Sequence, residues 1–562
     1  MYLVLIETSG NQHYIFSTNR LRENIGASEL TYQAGTLWVI EAVAIQNKEV
    51  LFPDWRTPEK LREMLRKDNP ALESSNRKAE IIVAASGKAL ILTRNKKTAK
   101  AIISHVTKTA LIKAPGLDIS GVYEEIEDWD NDSLADAIKA VHKKFEEARS
   151  RRSSAENRFL RLPIVASCAV SGLPASEIDY LGKERKLISK VSAVKCDKAP
   201  DAQTRLTSLD EKLKKQIDQI LRDEESTEEK RSWLAIVHAD GNGLGQIFIK
   251  FEDYIGEDKS NRNYINHYRE FSLALDECTE AAFKEALNIF PEEPDLKTEK
   301  MIPIVPLIIG GDDLTVVCDG HYALEFTRVF LQKFEEQTKN KPAISKIAEE
   351  AFGIGRLSAC AGVAIVKRHF PFSVAYELAE KLIKSAKDVK RKVTCVPIPD
   401  KIPENPPTPF PCSAIDFHIL YDTSGVDLSD IRAQLEPESN TQLYNRPYVV
   451  SENLEQANGK DWAKLHRWEL LSNRVHALKA GKLPSSQSHA FRTTLFINKS
   501  AADSQYKLIE QRYDLTPFTE SEKSLFYQSQ DIYSTSFLDA LDAMNFLKSA
   551  QHEQNQTEEE AE

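Results

Sequence analysis

Two adjacent aspartates, Asp312 and Asp313, follow two glycines in the segment IPIVPLIIGGDDLTVVCDG at residues 302–320. The apolar residues on both sides predict a buried hairpin with the aspartates at its tip. Adjacent carboxylates repel each other, and burying them without a partner is costly. The pattern therefore indicates that positive charge lies at this turn.

A third carboxylate, Asp240, ends the apolar segment WLAIVHADGNGLG at residues 233–245. If this strand neighbours the hairpin in one sheet, Asp240 meets Asp312 and Asp313. Three carboxylates at strand ends form a hard oxygen site that suits Mg²⁺ or Mn²⁺ and not zinc. Two such ions can activate a 3′ hydroxyl and neutralise a triphosphate in an in-line displacement. We therefore predict catalytic, metal-binding roles for all three aspartates.

Glycines and basic residues near these aspartates suit a phosphate ligand. Gly310 and Gly311 would let a substrate approach the backbone, and Gly241, Gly243 and Gly245 offer backbone amides. A basic cluster that supplies charge for triphosphate oxygens comprises Lys387, Lys390, Arg391 and Lys392. Each feature alone also fits an ordinary turn or a solvated helix end. Their ordered occurrence within residues 233–392 favours a catalytic site.

The elements that position these residues occur twice along the chain. The first copy has a strand at 2–7, helical spacing from Tyr14 onward and a hairpin at 79–93. The second copy has the strand ending in Asp240, a helix at 264–290 and the hairpin with the two aspartates, followed by a strand at 357–366 and a helix at 372–392. The repeat predicts two ferredoxin-like sheets of the split βαβ type.

The predicted organisation is an α+β fold in five parts. Residues 1–150 and 231–400 form the two ferredoxin-like domains, and 151–230 form a charged helical connector. Prolines after residue 400 mark a boundary. Residues 401–550 are predicted as a mainly helical domain, and 551–562 as an acidic disordered tail.

Composition narrows the class of protein. The 562 residues carry a formal net charge of −11, which argues against a protein that coats nucleic acid. A local basic groove is still compatible with this net charge. The seven cysteines are scattered without a CxxC pair, which suits reduced thiols. No apolar run approaches the roughly 20 residues of a membrane span, and MYLVLIETSG lacks a basic signal region. We expect a cytoplasmic protein that does not engage a membrane.

Residues 233–392 resemble the nucleotide-cyclase palm domain shared by GGDEF diguanylate cyclases and the Cas-ten family, the large polymerase-like subunit of type III CRISPR effector complexes (Cmr-two and Csm-one types). ADGNGLG is similar to the ADGDNMG of that family's first metal-binding strand, and GGDD matches it where diguanylate cyclases end in Glu. AGVAIVKRHFPFSVAYELAEKLIKSAK resembles its segment after GGDD. SGNQHYIFSTNRLRENIGASEL and SCAVSGLPA resemble its inactive first palm and inter-palm zinc motif. The resemblance covers about residues 1–400.

The resemblance implies two palm domains, of which the first is inactive, and a nucleotidyltransferase reaction. ATP would be joined by 3′–5′ phosphodiester bonds into a cyclic oligonucleotide second messenger of CRISPR-type antiviral defence. Asp240, Asp312 and Asp313 would hold two Mg²⁺ or Mn²⁺ ions, and Lys387 would contact triphosphate. The implied partners are CRISPR RNA complex subunits, target RNA and a downstream messenger-binding effector. Whether the protein acts alone, within a complex or as a homo-oligomer is left open.

The sequence also departs from the family. No His-Asp dipeptide occurs, and the nuclease domain that many family members carry is not expected before residue 1, so DNA cleavage is not expected. Asn242 stands where the family has Asp; the backbone carbonyl of Gly241 is predicted as a further metal ligand, and Gly241, Asn242 and Gly243 as nucleotide contacts. In the zinc-like segment only Cys168 remains, with Ser171 in the second cysteine position and Cys196 isolated, so zinc is not expected.

The first palm has Glu7 in place of Asp240 and Ser86-Gly87-Lys88 in place of GGDD. Its predicted role is structural, or it supplies an acceptor-nucleotide pocket across the palm–palm interface. Two other functions remain open. One is a catalytically inactive palm scaffold of a type III CRISPR ribonucleoprotein, which Asn242 favours. The other is a diguanylate-cyclase-like enzyme that uses GTP, which the duplicated palm disfavours because those cyclases carry one palm per chain.

Overall fold

A computed structural model describes residues 1–51, 57–153, 157, 159, 161–179, 185–213, 233–290, 304–368, 370–396, 407–421, 427–519, 521, 523–529 and 531–547. Helices surround two main sheets, one of four strands and one of six. The predicted α+β fold is confirmed. The predicted acidic tail at 551–562 lies outside the described residues.

The first palm is a four-stranded antiparallel sheet in the order β2-β3-β1-β4. Its strands are β1 (Tyr2–Ser9), β2 (Ala79–Ala85), β3 (Lys88–Thr93) and β4 (Asp118–Glu125), and its helices are α1 (Asn11–Phe16), α2 (Leu21–Gly35), α3 (Leu37–Asn47), α4 (Pro58–Lys67), α5 (Lys96–Lys113) and α6 (Leu134–Ser150). The continuous apolar run of β1 reflects its central place, since residues 3–6 are fully buried. The helical spacing from Tyr14 onward resolves into three helices instead of one.

The connector contains more than helix. A short hairpin, β5 (Glu177–Asp179) and β6 (Lys186–Ile188), precedes helix α7 (Lys190–Leu209). Helix α7 packs closely against α2, since a Cβ at Gly26 would lie 1.7 Å from the carbonyl oxygen of Lys195. The connector is thus attached to the first palm, and the connector, predicted as largely helical, also contains this hairpin. The rest of its helical prediction, at 214–230, lies outside the described residues.

The second palm repeats the first, with the strand order β10-β7-β9-β8. Its elements are β7 (Trp233–Gly241), α8 (Leu244–Ile249), α9 (Asn261–Ala286), β8 (Val305–Gly310), β9 (Asp313–Asp319), α10 (Gly320–Asn340), α11 (Pro342–Phe352), β10 (Ala359–Lys367), α12 (Phe372–Ala386) and α13 (Val389–Lys392). The Ser260 hydroxyl caps α9 by accepting from the amide of Asn263. The single helix predicted at 372–392 is two helices, and Lys387 lies in the break between them.

The second sheet continues beyond the boundary predicted at residue 400. Strand β12 (Ala414–Ile419) pairs in parallel with β10, and β14 (Tyr448–Val449) pairs with β12. A smaller pair joins β11 (Thr394–Cys395) to β15 (Ala457–Asn458). The C-terminal region therefore completes the second sheet, and the proline-rich segment does not separate it from the palm.

The remaining C-terminal elements are mostly helices. They are α14 (Leu428–Gln434), α15 (Lys460–Leu465), α16 (Trp468–Lys479), α17 (Ser485–Ile497), α18 (Lys499–Ile509) and α19 (Phe537–Ala543), with a small sheet of β13 (Thr441–Gln442), β16 (Tyr527–Ser529) and β17 (Ile532–Ser534). A fully buried ion pair, Arg446–Asp539, lies in this region. Within the described ranges, no helix combines the length and apolar character needed to cross a membrane.

Candidate functional site

Sheet register brings the three predicted aspartates together at one edge of the second palm. Ala239 of β7 pairs with Leu314 of β9, so the next position brings Asp240 level with Asp313. Asp312, in the turn, packs against the end of β7, because a Cβ at Gly241 would lie 2.8 Å from the Cβ of Asp312. A side chain at Gly241 would push Asp312 away.

Burial and the proximity of these carboxylates change their protonation. Burial raises the pKa of Asp312 to about 8, and the charges of Asp240 and Asp313 add to the effect. Burial together with the charge of Asp240 raises the pKa of Asp313 to about 8, against the opposing charge of Lys387. The site therefore holds protons at neutral pH unless a cation replaces them.

Lys387 is the basic residue that pairs with this cluster. Its ammonium group forms an ion pair with Asp240, and both side chains are only partly exposed. Lys390 is partly buried nearby, and burial together with the charge of Lys387 lowers its pKa. Arg391 pairs with Asp388 at the surface, and Lys392 is exposed. Of the predicted basic cluster, only Lys387 contacts the aspartates.

Asn242 does not face the aspartates. Its side-chain amide donates to Ser358 Oγ at 3.1 Å, to the backbone oxygen of Cys412 at 3.1 Å and to Cys360 Sγ at 3.3 Å. These bonds fix the end of β7 to the neighbouring strands β10 and β12. The side chain therefore stabilises the sheet in this position, and the prediction that Asn242 contacts nucleotide stays a prediction.

The glycines shape the turn that carries Asp312 and Asp313. Gly311 has φ +60°, a left-handed conformation that glycine adopts without strain. A Cβ there would meet no atom within 4 Å, so this side of the turn is open. Gly310 ends β8 opposite Asp313, and Gly243 precedes α8. The predicted access to the backbone is thus available at Gly311.

Sequence reasoning did not find His238, which lies beneath the carboxylates. Its Nδ1 atom lies 3.0 Å from Thr315 Oγ1 and 3.4 Å from Asp313 Oδ1. Burial lowers its pKa, so the ring is neutral at neutral pH. The ring of Tyr376 on α12 lies 5.4 Å from the His238 ring, centroid to centroid. The alternation of a buried strand could have marked His238 as inward-facing, but not its partner.

The donor set suits a hard cation, although one of its side chains, Asp240, is paired with Lys387. In the parts of the chain that the structure describes, no group of three or more His, Cys, Asp or Glu side chains has an arrangement ready for a metal ion. Asp313 Oδ1, however, is buried without a hydrogen-bond donor among the described residues. Three oxygen-bearing side chains, two with raised pKa, would gain from neutralisation by Mg²⁺ or Mn²⁺.

The first palm replaces this cluster with an ion pair. Its hairpin pairs Ala85 with Lys88, as the second palm pairs Gly310 with Asp313. Glu7 pairs with Lys88 in the register, and Lys88 Nζ lies 3.6 Å from Glu7 Oε2. One positive and one negative group occupy the positions of two carboxylates, so this edge is already neutral.

The zinc-like segment of the connector is held by hydrogen bonds. The Cys168 sulfur accepts from the backbone amides of Val170 and Ser171, each at 3.4 Å. Although burial opposes it, hydrogen bonding from Ser171 lowers the pKa of Cys168 to about 7. Burial raises the pKa of Cys196 to about 12.

The duplicated sheet with a carboxylate cluster in its second copy has the architecture of a double-palm protein, and the comparison with known proteins agrees for the second palm. Residues 233–395 match the family described as Cas10/Cmr2, second palm domain. This match places residues 233–395 in the Cas10/Cmr2 second-palm family.

Solved structures share the fold. The cryo-EM structure of a type III-B Cmr-beta complex in the apo state contains a chain that is 10% identical, with 97% of this chain and 81% of that chain covered and a TM-score of 0.51. A Csm1–Csm4 cassette in complex with cA4 is 12% identical over 92% of this chain and 66% of that one, with a TM-score of 0.46. Csm1 of T. onnurineus is 12% identical over 91% and 64%, with a TM-score of 0.45. The chain thus spans less than two thirds of these Csm1-type chains. No curated protein matches it in sequence.

Proposed function

We propose that the second palm is a nucleotidyltransferase that joins ATP through 3′–5′ phosphodiester bonds into a cyclic oligonucleotide messenger, in a type III CRISPR setting. The observation that carries the proposal is the convergence of Asp240, Asp312 and Asp313 within a Cas10/Cmr2 second palm domain. A binding or scaffold function alone gives no reason to place three carboxylates together, because their mutual repulsion destabilises the fold.

Each residue has a distinct role in this proposal. Asp240, Asp312 and Asp313 would hold two Mg²⁺ or Mn²⁺ ions, which supply charge neutralisation of the triphosphate and activation of the attacking 3′ hydroxyl. Lys387 would release Asp240 and pair with phosphate oxygens. The open side of Gly311 would admit the substrate. His238, neutral and buried, would keep Asp313 in its orientation.

The test is product formation from each labelled nucleoside triphosphate with Mg²⁺ or Mn²⁺, separated by chromatography. The control is Asp312→Asn with Asp313→Asn, which keeps the shape of the turn and removes its charge. A cyclic adenylate product that the double variant does not form would support the proposal. A product from GTP alone would instead favour the diguanylate-cyclase-like alternative. Target RNA and a CRISPR RNA complex are added in a second arm, because an activator is expected from the resemblance.

An inactive palm scaffold is the second candidate function. Two observations favour it: Asn242 provides no carboxylate, and Lys387 already neutralises Asp240. The two functions differ in metal-dependent ATP binding, which a scaffold does not require. Wild-type protein that forms no product in either arm, and binds no ATP with Mn²⁺, would establish the scaffold instead of the enzyme.

A further inference from the structure

The turn that carries Asp312 and Asp313 is fixed to helix α9 through both backbone polar groups of Gly311, the amide and the carbonyl. The amide of Gly311 donates to Asp276 Oδ1 at 3.2 Å, and its carbonyl oxygen accepts from Thr279 Oγ1 at 2.5 Å. Asp276 and Thr279 are three residues apart and face the turn from one side of the helix. The orientation of the turn therefore depends on the orientation of Asp276.

The first palm holds Asp276 in turn. Arg62 of α4 donates to Asp276 Oδ2 at 2.7 Å and binds both carboxylate oxygens of Glu280, at 2.7 and 2.8 Å. The arginine is 8% exposed, so this contact lies inside the palm–palm interface. Arg62, Asp276 and Gly311 thus form a continuous path from the first palm to the metal-binding turn.

The arginine balances an unfavourable pair of acids. Burial raises the pKa of Asp276, and the neighbouring Glu280 charge adds to this, while Arg62 opposes it. A planar guanidinium can contact two carboxylates at once, which an ammonium group does less well. Without Arg62, two partly buried acids would face each other, and the hydrogen bond that holds the side chain of Asp276 in this rotamer would be lost.

The two hairpin tips also meet at this interface. A Cβ at Gly310 would lie 4.0 Å from the Cβ of Ser86 at the tip of the first palm's hairpin. A small cavity of about 40 Å³ between the palms is lined by both tips together with Arg62 and Asp276. Movement of one palm against the other would therefore change the position of the turn.

We propose that Arg62 is a positioning residue for the aspartate turn: docking of the first palm through Arg62 orients Asp276, which fixes Gly311 and hence Asp312 and Asp313. The first palm, which has no carboxylate cluster of its own, thereby sets the activity of the second. The expected effect on turnover rests on the proposed function; the effect on the turn itself does not.

The chain offers a matched control on the same helix. Arg66, one turn further along α4, also joins the palms, through Glu270 at 2.9 Å and through Glu277. Among the described residues, its hydrogen bonds go to these two acids, and neither acid is hydrogen-bonded to the turn. Arg66→Met therefore weakens palm–palm docking without breaking the path to Gly311.

The experiment compares Arg62→Met, Arg62→Lys, Arg66→Met and Asp276→Asn in the full chain. Hydrogen–deuterium exchange of the segment 304–319 reports the Gly311 amide directly. We expect exchange at least about tenfold faster in Arg62→Met than in Arg66→Met, and partial recovery in Arg62→Lys. Asp276→Asn should also exchange faster than wild type, because an amide has only one acceptor oxygen and cannot accept from both Gly311 and Arg62. Mn²⁺ affinity should fall in the same order.

The outcomes separate this inference from the proposed function. Equal exchange and equal Mn²⁺ affinity in Arg62→Met and Arg66→Met would overturn the positioning role, whatever the enzyme does. If both readouts differ as expected but no variant forms product, the positioning role stands and the enzyme proposal fails. Where product forms, Arg62→Met should lower kcat about tenfold more than Arg66→Met at equal thermal stability.

Discussion

The ammonium group of Lys88 lies 3.6 Å from the carboxylate of Glu7, at the strand positions that Asp313 and Asp240 occupy in the second palm. The two palms thus share a backbone and differ in charge at corresponding edges. A neutral pair does not require a metal ion, whereas adjacent carboxylates are stabilised by protons or by a cation. Under the proposed function, this difference places the metal-dependent chemistry in the second palm.

Neutralising the first pair should leave metal binding intact. Glu7→Gln with Lys88→Met removes two opposite charges at a partly exposed site, so stability should change by less than about 1 kcal/mol. The rise in melting temperature caused by Mn²⁺ should equal that of wild type. The matched comparison is Asp312→Asn with Asp313→Asn, which should abolish the rise. Loss of the rise in the first-palm variant would show that this palm binds the ion.

Lys387→Met should separate nucleotide binding from metal binding. Because a charge-assisted bond to phosphate is removed, ATP affinity with Mn²⁺ should fall about tenfold or more. Mn²⁺ alone should bind as tightly as in wild type, or more tightly, because Asp240 loses its competing partner. Calorimetric titration measures both. Lys392→Met, at an exposed position, is the control; an equal effect there would mean that only general positive charge matters.

The stabilisation that Mn²⁺ provides should increase with pH. The pKa values of Asp312 and Asp313 are raised to about 8 in the folded protein, above the ordinary value of about 4. Such groups bind protons more tightly when folded, so their contribution to stability is lost as pH rises from about 4 to about 8. A metal ion must displace these protons, and its effect on the melting temperature should grow from pH 6 to pH 9.

The same shift predicts the behaviour of a neutral turn. Without metal, Asp312→Asn should melt at a higher temperature than wild type at pH 8, and at a similar temperature near pH 4. A variant that is no more stable than wild type at pH 8 would contradict the raised pKa values.

Restoring the family's aspartate at position 242 should not help. Asn242 donates three hydrogen bonds inside the sheet, and an ionised aspartate donates none. Asn242→Asp should therefore cost about 1–3 kcal/mol of stability, measured by urea unfolding, without raising Mn²⁺ affinity. A gain in Mn²⁺ affinity would show that this side chain can turn toward the aspartates.

The sequence was informative where structure is local. The apolar runs predicted β7, β8 and β9. Asp240 stands at the end of one strand and Asp312 in one turn, so their convergence followed from the single assumption that these strands are neighbours in one sheet. The same periodicity predicted the long helix α9. Hydrophobic pattern carries this information because neighbouring residues determine which face of an element is buried.

Long-range pairing was not predictable in the same way. Arg62 and Asp276 are 214 positions apart, and nothing near either residue indicates the other. The inward turn of Asn242 depends on Ser358 and Cys412, contributed by two other strands. Strand β12 joined the second sheet across a proline-rich segment that reads as a domain boundary. In each case the partner, and not the residue itself, decides the role.

Metal-dependent ATP binding tests the central claim most directly, because it requires the three aspartates and no activator. Calorimetry with Mn²⁺ on wild type, and on Asp312→Asn with Asp313→Asn, is the decisive comparison. We predict saturable ATP binding to wild type that disappears when Mn²⁺ is omitted and disappears in the double variant. ATP binding of equal strength in the double variant, or no ATP binding to wild type with Mn²⁺ present, would contradict the account.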